Sequence, residues 1–78
     1  MSRMNLYVDP KLTGENIREL MTVNHIKVRY IMDACDFTTP QTIYKWLKGD
    51  CMPSIDNMVI LAALFKCRIE DFVAVRRL

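Results

Sequence analysis

The fold class this sequence predicts is all-α: a compact domain of five short helices behind a short non-helical N-terminal arm. Three observations carry that prediction. Hydrophobic residues make up 51% of the 78 residues, enough to build a packed core. Only two glycines and three prolines punctuate the chain, which favours helices joined by short connections. Apolar residues recur at i, i+3 and i+4 from Ile17 to Phe72, the spacing of one buried face on successive helices. A chain of this length holds a single domain.

Residues 1–12, MSRMNLYVDPKL, show no helical period and read as the arm. Leu6, Tyr7 and Val8 form a short extended apolar run that Asp9-Pro10 interrupts, and such a run is better used as a strap across the domain or a partner than left in water. Residues 13–78 form the domain. Thr13 is placed to cap helix 1, with Glu15 in a first turn that favours negative charge. Ile17, Leu20 and Met21 give that helix its buried face, and Asn24-His25 ends it. Helix 2 follows from about Lys27, with Val28, Ile31, Met32 and Cys35 as its core stripe and Tyr30 and Asp33 outside.

Asp36-Phe37-Thr38 makes a tight turn into helix 3, residues 39–48. Thr39 can cap it and Pro40 suits its first position. Ile43, Trp46 and Leu47 face inward, and Gly49 is placed to stop the helix in a left-handed conformation. Two helices so joined, with polar residues outside on the second, have the pattern of a helix-turn-helix. Ser54 caps helix 4, Asp56 lies in its first turn, and Met58, Val59, Leu61, Ala62, Leu64 and Phe65 make it apolar on most sides. Helix 5 is expected from Arg68, with Ile69, Phe72 and Val73 closing the core.

The net charge of +2 does not diagnose a nucleic-acid partner. Its distribution is more informative: between His25 and Gly49, Lys27, Arg29, Lys45 and Lys48 stand against Asp33 and Asp36, and Arg76-Arg77 lies near the end. A solvated helix face would show the same bias. Cys35, Cys51 and Cys67 are spaced 16 apart, which offers neither a disulfide framework nor the close pairs of a zinc site, and His25 is the one histidine. No metal and no cofactor are expected. With no nucleophile–base arrangement and no phosphate-binding glycine loop, neither is an enzyme. The absence of a signal-peptide pattern or an apolar run of about 20 residues predicts a cytoplasmic protein without a membrane partner.

PQTIYKWLKG followed by PSIDNMVILAALFKCRIEDFV resembles the lambda-repressor/Cro-like (XRE-type) helix-turn-helix family, and TGENIRELM is similar to that family's first helix. The resemblance spans about residues 13–74. It implies a five-helix lambda-repressor-like domain that binds double-stranded DNA, commonly as a homodimer on a two-fold operator, and regulates transcription, most often as a repressor. On the matching positions, Gln41, Thr42 and Lys45 would read bases, a chemistry open to a Gln amide on adenine and a Lys on guanine. Lys27, Arg29, Thr39, Tyr44 and Lys48 would hold the DNA backbone. The chain departs from the family pattern at Met21 and Val28, where Arg and Gln often contact phosphate, at His25 and Asp36, where Gly is frequent, and at Pro40 and Leu47. Two alternatives therefore stay open: a protein-interaction module of the same fold that no longer binds DNA, and an antitoxin that represses its own operon. For the dimer, Phe72, Val75 and Leu78 in the FVAVRRL segment that follows helix 5 to the end of the sequence could form an exposed stripe, or could instead finish the core of one copy.

Overall fold

Asp9-Pro10 does more than interrupt the arm. In the computed structural model, which describes residues 4–77, it starts the first helix. Asp9 is extended (φ −103°, ψ 100°), its carboxylate accepts the Leu12 N–H at 3.0 Å, and Pro10 takes the first helical position, where no N–H is needed. Helix α1 accordingly runs Pro10–Val23, so Pro10 to Leu12 belong to the helix and not to the arm. Thr13, expected as the cap, lies inside the helix and is 1% exposed. Then follow α2 (Val28–Cys35), α3 (Gln41–Lys48) and α4 (Ile55–Phe65), with Ser54 accepting the Asn57 N–H at the start of α4.

All four helices stop by the same device. His25, Asp36, Gly49 and Lys66 each adopt a left-handed conformation (φ 55°, 58°, 81° and 55°). The next residue then returns its N–H to a carbonyl five positions back: Ile26 to Met21, Phe37 to Met32, Asp50 to Lys45 and Cys67 to Ala62, all within 3.0 Å. Only one of the four terminators is a glycine.

Five all-α helices is not the architecture. Beyond α4 a single 3-10 turn, Ile69–Asp71, is followed by a strand, β2 (Val75–Arg77), which pairs antiparallel with β1 (Leu6–Val8) in the arm. Among the described residues the result is a small mixed α/β domain of four α-helices and a two-stranded sheet. The expected non-helical arm is therefore a strap, and it straps to its own chain. Leu6 faces Arg77, Tyr7 faces Arg76 and Val8 faces Val75.

Non-local partners explain why this segment leaves the helical path. Asp9 N–H donates to the Ala74 carbonyl (2.8 Å), Ala74 N–H to the Thr13 hydroxyl (2.9 Å), and the Asn16 amide to the Phe72 carbonyl (3.1 Å). Asp9 also pairs with Arg76 at 2.9 Å. Asp9 and Thr13 thus take up the carbonyl and the N–H of Ala74, and Asn16 the carbonyl of Phe72. Val73 and Val75 favour extended chain, and an isolated terminal helix this short would be marginal. Because the Ala74 bond to Thr13 is buried, Thr13→Val should cost about 1–3 kcal/mol by stranding a buried N–H. Thr13→Ser keeps the acceptor and should cost less. Urea denaturation of both variants reads the difference.

The core lies between the helices and is closed by the C-terminal segment. Ile17, Ile31, Ile43, Leu61 and Phe72 are fully buried, with Trp46, Leu47, Met58 and Phe65 around them. Two edge-on aromatic pairs order it: Phe37 with Trp46 (centroids 5.7 Å apart) and Phe65 with Phe72 (6.3 Å).

Both glycines of the chain serve the crossing of α1 and α3. A Cβ on Gly14 would stand 2.4 Å from the Trp46 carbonyl oxygen and 2.7 Å from that of Leu47. A Cβ on Gly49 would meet the Lys11 Cα at 2.6 Å. The backbone of each helix touches the end of the other, which fixes how α3 is presented.

Candidate nucleic-acid interface

Helix α3 is held from one side only. Ile43, Trp46 and Leu47 are buried, at 0%, 2% and 7% exposure. Gln41, Thr42, Tyr44, Lys45 and Lys48 are all exposed. The arrangement follows from the 3.6-residue period, which sets the apolar residues on one side and the polar ones on the other. The inner side is locked by the α1 crossing and by Phe37 against Trp46, so the outer side is presented on a rigid support.

The other residues expected at a DNA backbone are exposed as well. Lys27 is the N-cap residue of α2, Arg29 lies in that helix's first turn, and Thr39 precedes α3. The cap expected from Thr39 does not form: Pro40 is the N-cap residue of α3, and no side chain bonds to the first turn. Pro40 still supplies its carbonyl to the Tyr44 N–H at 3.1 Å. Neither α2 nor α3 has a side-chain cap, so their first-turn N–H groups, apart from that of Tyr30, which donates to the Lys27 carbonyl at 3.0 Å, lack partners like those Asp9 and Ser54 give α1 and α4.

Two features soften the charge on α3. Lys48 lies 3.5 Å from Asp50, but both side chains are more than half exposed and the pair is worth little. Lys45 and Lys48 also occupy the last turn of α3, where a cation suits the helix dipole whatever else it does.

One cluster escaped the sequence reading. Arg18 from the outer side of α1 joins His25 and Lys27 around an open groove of about 330 Å³, lined also by Met21, Thr22 and Ile26. Among the described residues no carboxylate lines it. Arg18 and Lys27 are nine positions apart in the chain, and only the fold-back after α1 brings them together.

The expected dimer stripe is dismantled. Phe72 is buried against Phe65, and Val75, 56% exposed, lies on a strand and not a helix. Leu78 lies outside the described residues. The three cysteines are free: Cys35 and Cys67 are partly buried and Cys51 is exposed. Burial pushes the Cys35 thiol up, and burial and then the nearby Asp71 do the same for Cys67. Among the described residues no group of His, Cys, Asp or Glu is placed to hold a metal ion, and no helix is long and apolar enough to cross a membrane.

Comparison of the chain with protein-family models, with curated proteins and with solved structures returns no match.

Proposed function

We propose that this chain is a sequence-specific DNA-binding regulator of transcription, acting in the cytoplasm as a homodimer on a two-fold site. The observation that carries the reading is α3 itself. It is an eight-residue helix anchored by three buried side chains, presenting Gln41, Thr42, Tyr44, Lys45 and Lys48 on its free side. A helix of this diameter fits the major groove, and its exposed residues have the hydrogen-bonding chemistry that reads base edges. The likeness of Gln41–Gly49 and Pro53–Phe72 to lambda-repressor/Cro-like sequences supports the same reading.

In this mechanism Gln41, Thr42 and Lys45 discriminate bases, and Lys27, Arg29, Thr39, Tyr44 and Lys48 engage the sugar–phosphate backbone and set the register. Arg18 joins the backbone set through the groove it shares with Lys27. The uncapped N–H groups at the starts of α2 and α3 suit phosphate oxygens. Occupying a promoter this way blocks competing proteins, which makes repression the expected outcome.

Selection of duplexes from a random pool, followed by titration across salt concentrations, tests the proposal. Gln41→Ala and Lys45→Ala should each lose about 1–3 kcal/mol of discrimination at one base pair. Lys27→Ala should weaken all sequences alike and lower the salt slope by about one. A folded protein with no salt-sensitive DNA binding would defeat the reading and favour a protein-interaction module.

A further inference from the structure

Helix α4 carries more apolar surface than the core uses. Met58, Leu61 and Phe65 face inward, while Ile55, Val59 and Ala63 stand exposed on the other side at i, i+4 and i+8. Ile55 is 69% exposed and Val59 55%. Two charged residues border this stripe, one at each end: Asp56 in the first turn and Lys66 at the C-cap. Both are exposed, and neither side chain has a charged or hydrogen-bonded partner among the described residues.

A second copy of the chain, laid antiparallel on this face, matches it in charge. A two-fold axis midway between Val59 and Ala63 stacks Val59 of each copy on Ala63 of the other and sets Asp56 of each copy opposite Lys66 of the other. Parallel pairing would instead set Asp56 beside Asp56 and Lys66 beside Lys66. The exposed apolar residues of the sheet, Tyr7, Val8 and Val75, lack this complementarity. Their bordering charges are Arg76 and Arg77, and Asp9 is already engaged by Arg76.

We propose that the outer face of α4, formed by Ile55, Val59 and Ala63 between Asp56 and Lys66, is the seam on which two copies of this chain dimerise antiparallel. An eleven-residue helix is about 16 Å long. The seam therefore buries less than the ~800 Å² per partner of a standard interface, which sets the dimer in the weak, reversible class. The inference rests on the dimeric part of the function proposed above. Its test is read without DNA, so the two can fail separately.

Sedimentation equilibrium of the full chain, from low to several hundred micromolar, should show a monomer–dimer equilibrium. Val59→Glu, at an exposed position, should leave the circular dichroism unchanged and weaken association at least about tenfold. Asp56→Lys should weaken it severalfold, and the double exchange D56K/K66D should restore it to within about twofold of the original, because the opposite charges again meet across the axis. A strict monomer at the highest concentration, a Val59→Glu protein that dimerises as well as the parent, or a double exchange no tighter than Asp56→Lys would each overturn the proposal.

Discussion

Gly14→Ala is expected to destabilise the domain by about 2 kcal/mol or more, although it replaces the poorer helix former with the best one. Two effects oppose each other. Alanine in a helix interior is favoured over glycine by about 1 kcal/mol. Against that, the added methyl would lie 2.4 Å from the Trp46 carbonyl oxygen and 2.7 Å from that of Leu47. Both obstacles are backbone atoms, so no rotamer change relieves them, and α1 and α3 must move apart. Overpacking of this kind costs about 1–3 kcal/mol where side chains can adjust, and more where they cannot.

The separation also loosens Ile17, Ile43 and Trp46 between the two helices. A domain of this size has roughly 4–12 kcal/mol of stability in all, so the loss is a large fraction. Urea denaturation measures it through the transition midpoint. A midpoint equal to the parent's, or higher, would mean that α1 and α3 do not meet in this way. On the function proposed above, DNA affinity should fall as well, because the same crossing sets the presentation of Gln41 and Lys45.

Phe72→Ala should cost about 3–5 kcal/mol. The ring is fully buried and edge-on to Phe65, and the Phe72 carbonyl accepts from Asn16 on α1. Removing the ring opens a cavity under the C-terminal segment and frees the strap that β1 and β2 make. Val75→Ala, three residues on and 56% exposed, should change stability by less than about 0.5 kcal/mol. The contrast separates two roles for this segment. If it were a helix offering a dimer stripe, both substitutions would weaken self-association and neither would dominate folding. With Phe72 as a core residue, thermal unfolding shows one large effect and one near zero, and sedimentation of Val75→Ala matches the parent. Equal stability losses at the two positions would contradict the observed burial.

Much of the domain could be read from local pattern. The residues that stop α2 and α3, Asp36 and Gly49, and the Ser54 cap of α4 are short-range signals, each settled by a side chain or a left-handed residue within five positions. The inner face of α3 follows from the spacing of Ile43, Trp46 and Leu47. Local reading failed where two local solutions compete. Asp9 and Thr13 are both good caps, and the choice of Asp9 is tied to its contacts with Ala74 and Arg76, more than sixty residues away. Over Ile69, Phe72 and Val73 the helical and extended periods cannot be told apart in so short a window. The basic groove was invisible for a related reason: Arg18 points outward on α1, and nothing near it in the chain marks it as a neighbour of Lys27.

The sequence by itself located the bodies of the four helices, the stops of α1, α2 and α3 and most of the core residues, because those depend on periodicity and on bonds that span five residues or fewer. It did not mark the start of α1 at Pro10 or the stop of α4 at Lys66, and it expected a fifth helix where the chain forms a 3-10 turn and a strand. Only the tertiary structure decided what the two ends of the chain become. A helix satisfies its backbone from within, whereas a strand needs another segment to bond with. The pairing of residues 6–8 with 75–77 exists because α1 brings the ends together and supplies Asp9, Thr13 and Asn16 to hold them. No local stretch of sequence contains that partner.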